Sequence, residues 1–238
     1  MDYRESHKQR GSSYDKYLAD EPFSAYMTEI EHNLLRRIIP SLFSNTLPTY
    51  LDFACGTARI TSVVSPLTKL SFGVDISESM LEKAKDKCQN TNFIHKDITK
   101  DSLDIEQVDL ITSFRFFGNA QDSLRSEVLA QLNTLLKKDG YLLINNHRNP
   151  WGLSYMLGRL TGGKKELDLS PRKLKNLLDK NGFKIKETYG IGAWCFRSSL
   201  VNPKLLNSKL ARYLELFSKF PGAHLISPDA IIIAQKYK

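Results

Sequence analysis

Between residues 49 and 147 the chain alternates short apolar runs with amphipathic stretches, and this rhythm narrows the possible folds more than any other feature. The runs are TYLDFA (49–54), LSFGVD (70–75), NFIHKD (92–97), VDLITSF (108–114) and YLLINNH (141–147). Parallel strands are buried on both faces and so read as nearly continuous apolar segments. Helical patterns fall between them, from about Thr57 to Ser65, from Ser77 or Ser79 to about Lys87, and from Gln121 to Lys138. Glu82, three residues beyond Ser79, suits a capping box. In the last of these, Leu124, Val128, Leu129, Leu132, Leu135 and Leu136 form one stripe, which Asp139-Gly140 is expected to end. Strand, helix, strand in succession builds right-handed βαβ units, so the expected fold class is α/β with a doubly wound, mostly parallel sheet.

Outside this core the rhythm changes. Tyr26, Ile30, Leu34, Leu35, Ile38 and Ile39 recur at helical spacing before Pro40, which predicts an N-terminal helix to about Phe43. After His147 the segment 148–169 reads as irregular. Ser170-Pro171 then opens a helix that Asn181-Gly182 closes. FKIKETYG (183–190) alternates as a half-buried strand does, residues 203–220 read as helical, and DAIIIAQKYK (229–238) supplies a last strand, the seventh.

At 238 residues the chain fits one domain with added elements. Three cysteines, Cys55, Cys88 and Cys195, make no disulfide framework and no paired ligand spacing, so a reducing, cytoplasmic setting and no metal are expected. The N-terminus lacks the apolar centre of a signal peptide, and the longest apolar run, Ala230 to Ala234, is too short to cross a bilayer. Residues 1–147 hold 17 Lys and Arg against 20 Asp and Glu, a net of −3. Residues 148–238 hold 17 against 6, a net of +11, so the whole positive excess lies in the C-terminal third.

The segment LDFACGTARI (51–60) is a strand running into a turn that opens a helix. Gly56 lacks a Cβ, so a ligand can approach its backbone, while Ala54 and Ala58 keep the walls small. Nineteen residues on, at the end of the next strand, stands Asp75, placed to accept from a ribose diol. The dinucleotide pattern G-x-G-x-x-G is absent, since positions 58 and 61 are Ala and Thr. Asp52 ahead of the turn repels phosphate and favours a cationic or amino-bearing ligand. Together these suit a nucleoside that carries an amino acid and a sulfonium.

Across about residues 45–147 the chain resembles the class I S-adenosylmethionine-dependent methyltransferases. The family's glycine-rich first motif is similar to Asp52-Phe53-Ala54-Cys55-Gly56-Thr57-Ala58-Arg59, with Ala58 where the commonest pattern has Gly. The resemblance implies S-adenosylmethionine as cofactor. It implies Asp75 as the ribose acid with Ile76 beside it, Met80 in SESM as the apolar flank of adenine, and Asp97 with Ile98 in HKDIT at the adenine amino group. Ser113 and Phe114 then line the methionyl side. It also implies a division into an N-terminal helical lid (1–45), a cofactor-binding core (46–147), acceptor-side elements with a cap insertion (148–228) and the last strand (229–238). Tyr14 and Tyr17 would belong to the lid, although simple packing of a helix on the sheet is the more ordinary explanation for them.

Methyl transfer from a sulfonium needs alignment, plus removal of a proton where the acceptor is a hydroxyl. His147, at the end of the fifth strand, is the candidate base, and Arg115, after the fourth, the candidate holder of an anionic acceptor group. The alternatives are a histidine that only shapes the pocket and an arginine in a structural ion pair. Phe114, Phe116 and Phe117 read as pocket wall and core, and Asn119 as a weaker acceptor contact. No N/D-P-P-Y/F signature follows the fourth strand, where SFRF stands, which argues against exocyclic base amines as acceptors. Gly158-x4-Gly163-Lys164 imitates a phosphate-binding loop, but position 165 is Lys and no strand precedes it.

The expected activity is methyl transfer to a small-molecule acceptor, first of all a hydroxyl of a saccharide or sugar-containing metabolite. The basic segment 148–228 suits an anionic acceptor or a solvated basic face. The competing readings are an anionic lipid reached by peripheral membrane contact, an RNA acceptor, and a regulatory protein that binds the cofactor without turnover.

Overall fold

The computed structural model describes residues 20–43, 46–153, 155–156, 169–194 and 203–238. Tyr14, Tyr17 and the phosphate-loop imitation at 158–164 lie outside them. Helix α1 (Pro22–Leu42) starts in a preferred way, with Pro22 in the first turn and the Glu21 side chain accepting from the N–H groups of Phe23 and Ser24. It continues through Pro40 to Leu42, in line with the expected end at about Phe43.

Seven strands follow: β1 (Leu47–Phe53), β2 (Thr68–Asp75), β3 (Thr91–His95), β4 (Val108–Ser113), β5 (Leu136–Asn145), β6 (Phe183–Ile191) and β7 (Asp229–Lys236). They form one sheet in the order β3-β2-β1-β4-β5-β7-β6. The first five are parallel, and β7 runs antiparallel between β5 and β6. The doubly wound, mostly parallel, seven-stranded sheet is therefore present as expected.

Alternate strand residues enter two different cores, which is what burial on both faces requires. Leu51, Phe53, Ile111, Leu142, Ile144 and Ile232 pack with Leu124, Val128, Leu129 and Leu132 of α4 (Asp122–Leu135) and with Leu174 and Leu178 of α5 (Pro171–Lys180). Tyr50, Leu110, Leu143, Ile231 and Ile233 pack with Met27, Leu35, Ile38 and Ile39 of α1 on the other face. Each such leucine or isoleucine contributes about 1.5–3 kcal/mol by leaving water.

Three local expectations are corrected. The helix after the first turn is a single short element, α2 (Thr61–Val64), because residues 54–58 alternate through left-handed backbone and cannot extend it. Helix α3 (Glu78–Lys87) has Ser77 rather than Ser79 at its N-cap and makes no side-chain capping bond there. Helix α4 ends at Leu135 rather than Lys138, since Leu136 already pairs with Val108 as the first residue of β5, and Asp139-Gly140 lies within that strand. Lys236 Nζ caps the helix end by donating to the carbonyls of Asn133 and Leu136 at 2.7 and 2.8 Å.

The stretch read as one helix over 203–220 is broken into α6 (Pro203–Leu206), α7 (Lys209–Leu214) and a 3-10 turn at Glu215–Lys219. Helix α8 (Ala223–Ile226) follows before β7. No helix among the described residues is long and apolar enough to cross a membrane.

Candidate functional site

In an open α/β sheet the ligand crevice lies beyond the carboxyl ends of the parallel strands, where the order reverses. Here that point lies between β1 and β4. The backbone marks it as well, for Ala54, Ala58, Arg115 and Arg148 follow β1, β4 and β5 and all have φ between 55° and 62°. Left-handed alanine and arginine cost on the order of 1 kcal/mol or more each and persist where surrounding structure enforces them.

On the β1–β2–β3 side the turn after β1 is held by β2. Cys55 N–H donates to the Val74 carbonyl at 3.1 Å, and Gly56 N–H donates to Asp75 Oδ2 at 2.8 Å. The other Asp75 oxygen accepts from Ser77 N–H at 2.9 Å. Each carboxylate oxygen offers two lone pairs, so Asp75 can accept from a diol while it holds the turn. Gly56 has φ 53°, and a Cβ there would stand 3.4 Å from Met80 Sδ, filling the gap between turn and α3. The methyl of Ala58, at the position where the family pattern most often has Gly, packs fully buried against Ala84 and Cys88. Thr57 is buried beside it. Burial pushes the Cys55 thiol well above its ordinary range, so it stays neutral.

After β3, Asp97 Oδ1 accepts from the N–H and hydroxyl of Thr99 at 3.1 and 2.7 Å, with Ile98 buried behind. The Ile76 carbonyl contacts the His95 ring at 3.1 Å. Asp75, Ile76 and Asp97 are half-buried, and Met80 is buried.

Asp52 differs from the expectation that it faces the ligand. It is 2% exposed and lies beneath the turn, accepting from the Thr61 hydroxyl at 2.6 Å and the Thr112 hydroxyl at 2.7 Å. Tyr50 Oη contacts the same Thr112 oxygen at 2.7 Å. Burial pushes this carboxyl up to about 6, against the hydroxyl bonds and the Arg59 charge that favour ionisation.

On the other side, Arg115 N–H donates to Asn145 Oδ1 at 2.6 Å, and the Asn119 amide donates to the Arg115 carbonyl. Asn119 therefore shapes the loop that the sequence reading placed near the acceptor. Asn145 Nδ2 donates at 3.0 Å to Glu31, a fully buried carboxylate on α1 that also pairs with Arg59 of the first turn. Glu31 thus ties the two walls of the crevice together. Next to it, burial and the Arg59 charge push His32 down to about 4, so that ring is neutral.

His147 Nδ1 lies 3.0 Å from Asp229 Oδ2, and Arg148 N–H donates to Asp229 Oδ1 at 3.0 Å. Asp229 is 3% exposed. Burial alone would raise its pKa, but the His147 ring, the Arg148 N–H and the Arg115 charge outweigh it and hold the carboxyl down at about 2. An ionised carboxylate can only accept, so His147 Nδ1 carries a proton, and whenever the ring is neutral its lone pair lies on Nε2. Phe114, Phe116 and Phe117 are buried as pocket wall and core. Phe116 packs edge-on against Phe53 and Phe117. Two buried polar atoms at these strand ends, Ser113 Oγ and Asn146 Oδ1, have no hydrogen-bond partner among the described residues, which points to a ligand.

Glu31, Asn145 and Asp229 were not singled out from sequence. Glu31 carried a signal, since it shares the helical stripe of Met27, Leu35 and Ile38 and is the charge in it. Asp229 is visible only through pairing: Asn145 sits opposite Ile231 in antiparallel register, which sets position 229 against 147.

Residues 51–140 match a family model described as a methyltransferase domain. A protein from Anoxybacillus flavithermus named as an uncharacterised methyltransferase is 29% identical over 93 residues. That match spans 39% of this chain and 44% of the relative, less than half of either. Among solved structures, the magnesium protoporphyrin IX methyltransferase of Synechocystis PCC 6803 with bound S-adenosylhomocysteine superposes with TM-score 0.65 at 15% identity, over 98% of this chain and 97% of the other. N-methyltransferase NodS of Bradyrhizobium japonicum, in complex with the same ligand, gives TM-score 0.64 at 14% identity over 99% and 97%. A SAM-dependent methyltransferase from Archaeoglobus fulgidus gives 0.58 at 23% identity over 88% and 94%.

Proposed function

From the match of residues 51–140 to a methyltransferase domain, we propose that the chain is a class I S-adenosylmethionine-dependent methyltransferase that transfers the methyl group of S-adenosylmethionine to a hydroxyl of a small molecule. The observation that carries the reading is the placement of two built devices in one crevice: the Asp75 carboxylate on the Gly56 amide, and the His147–Asp229 pair three strands away. The residues present fit the cofactor. Gly56 leaves the space a Cβ would fill beside Met80, Asp75 and Asp97 offer carboxylates at successive strand ends, and Ser113 Oγ is a buried polar atom with no partner among the described residues. Bound there, S-adenosylmethionine supplies a methyl group already activated by its sulfonium.

The chain's own part is alignment and proton removal. Asp75 and the turn 54–58 fix the nucleoside end. Asp52, ionised above about pH 6, places negative charge beneath the turn, favouring a cationic sulfonium over its neutral product. His147 Nε2 takes the acceptor's hydroxyl proton, and Asp229 fixes the tautomer and stabilises the resulting imidazolium. Arg115 contributes positive charge beside Asp229. A polyhydroxylated acceptor, a saccharide or sugar-containing metabolite, is supported by Asn146 Oδ1, a buried hydrogen-bond acceptor with no partner among the described residues. A cytoplasmic setting is supported by Cys55 and Cys88, both buried free thiols.

Calorimetric titration with S-adenosylmethionine and its demethylated product tests the reading. We expect saturable binding of both, weakened on the order of 10- to 100-fold in Asp75→Ala by loss of charge-assisted hydrogen bonds. No binding of either ligand by the intact chain overturns the proposal.

A further inference from the structure

The ends of β5 and β7 lead from the His147–Asp229 pair into two segments that are laced together. Asn149 N–H donates to the Pro228 carbonyl at 2.8 Å, and its side-chain amide donates to the carbonyls of Leu225 and Ser227 at 2.8 and 2.9 Å. Asn149 Oδ1 accepts from Trp151 N–H at 3.0 Å, which turns the chain. At Gly152 a Cβ would lie 3.0 Å from the Asn149 carbonyl and 3.1 Å from Pro228 Cα, so the two backbones meet where a side chain does not fit. Residues 149–152 and 225–228 thus form one support that begins two residues after His147 and ends one residue before its partner Asp229.

The side chains on this support are apolar and face solvent. Trp151, Leu153, Met156, Leu225 and Ile226 are each between 38% and 50% exposed. Residues 149–156 contain no charged side chain, and residues 223–228 have only His224, whose pKa burial lowers. The cationic excess of the C-terminal third therefore lies elsewhere than in these two segments. An exposed apolar cluster joined to a base is the composition of a ligand site, where apolar walls carry most of the contact and a few polar groups fix orientation.

Resting on the methyltransferase reading, we infer that the acceptor is amphiphilic. It presents its hydroxyl to His147 and lays an uncharged aryl or alkyl body on Trp151, Leu153, Met156, Leu225 and Ile226. A free saccharide would leave these side chains in water, and a polyanion would find no cation among them. Within the sugar-containing class the fitting acceptors are therefore glycosides with an apolar aglycone.

Titration calorimetry of the intact protein tests this with D-glucose, phenyl β-D-glucopyranoside and octyl β-D-glucopyranoside below its micelle concentration, each with and without S-adenosylhomocysteine. The two glycosides are expected to bind at least about tenfold tighter than glucose, the ratio that burying a few methylene groups provides. Trp151→Ser and the double change Leu225→Ser with Ile226→Ser each reduce that binding about fivefold or more, with affinity for S-adenosylhomocysteine unchanged. Equal affinity for glucose and the glycosides, binding of neither, or indifference to the substitutions overturns the inference. Sedimentation with phosphatidylcholine vesicles and no saturable glycoside site also overturns it, in favour of a bilayer. The titration with S-adenosylhomocysteine alone reports on the cofactor site, so its failure is separable from failure of the apolar rim.

Discussion

The two halves of the crevice are built in opposite ways. On the β1–β2–β3 side the defining bond, Gly56 N–H to Asp75, joins residues 19 apart in sequence. On the β4–β5–β7 side, Asn145 to Glu31 spans 114 residues and His147 to Asp229 spans 82. Each half also holds a buried aspartate, and the two titrate in opposite directions. Asp52 meets two neutral hydroxyls and the Arg59 charge, which do not offset its burial, and is pushed up to about 6, whereas Asp229 bonds a histidine ring and a backbone N–H beside the Arg115 charge and is held at about 2. Equal burial thus yields a carboxyl that resists ionisation or one that keeps it, according to whether a directly bonded donor can itself carry charge.

The largest effect that would sharpen this contrast is expected from Asp229→Asn. The amide keeps the volume but no longer requires the His147 proton on Nδ1, so the lone pair on Nε2 is lost in part of the population. Methyl transfer should fall about 10²- to 10⁴-fold while cofactor affinity stays within about twofold, as a base held in the wrong tautomer requires. Radiolabelled methyl transfer and calorimetry on the same preparation measure both. A fall in cofactor affinity as large as the fall in rate would erase the division between the halves.

Glu31 comes next, because it joins them. Glu31→Ala leaves Arg59 and the Asn145 amide facing a buried void, and breaking a buried pair in this way costs about 3–5 kcal/mol. Urea denaturation should show it as a lowered midpoint. A loss below about 1 kcal/mol would mean that the two walls stand independently.

The same contrast decides what could be read from sequence. The strands, the turn at Gly56 and the acids at 75 and 97 were legible because local backbone geometry fixes each of them, and an apolar run ending in an acid survives any error in the helices between. Helix ends were less legible: Leu135 and Leu136 continue the stripe of α4, and only pairing of Leu136 with Val108 turns the chain into β5. His147 was readable as a strand-end histidine. Its partner was not, since Asp229 reaches it only once β7 returns antiparallel beside β5. Asp52 could be seen, but its orientation depends on Thr61 and Thr112, the latter 60 residues away.

A smaller effect separates the two aspartates by pH. Asp52 has a folded pKa of about 6 against an ordinary 3.8, so its contribution to stability is fully present below pH 3.8 and is lost as the pH rises through 6. The loss is about 3 kcal/mol at most, from about two units at 1.36 kcal/mol each. Asp229 works the other way, adding stability above pH 3.8 that is lost as the pH falls through about 2. Between pH 4 and 7 Asp52 works against His32, whose pKa of about 4 against an ordinary 6.5 adds stability as the pH rises. Asp52→Asn should therefore make stability rise more with pH across that window than in the parent, and raise it at pH 7.5 by about 1–2 kcal/mol, because one hydroxyl must reorient toward the amide. Chemical denaturation at pH 4.5, 6 and 7.5 tests the sign, and an unchanged slope would mean that Asp52 is ionised throughout.

Ala58→Gly carries the smallest effect and probes the local half alone. At φ 61° the alanine bears left-handed strain, which glycine relieves by on the order of 1 kcal/mol. The same change removes a fully buried methyl from contact with Ala84 and Cys88, which costs about 0.8 kcal/mol of burial and leaves a small void. The two terms nearly cancel, so the melting temperature should move by less than about 3 °C in either direction. The cofactor site provides the sharper reading. Because the Ala58 methyl packs against Ala84 and Cys88, affinity for S-adenosylhomocysteine should stay within about twofold of the parent. A large gain on substitution would show that this methyl narrows the turn itself, and that the cofactor-side geometry owes more to position 58 than to the Gly56–Asp75 bond.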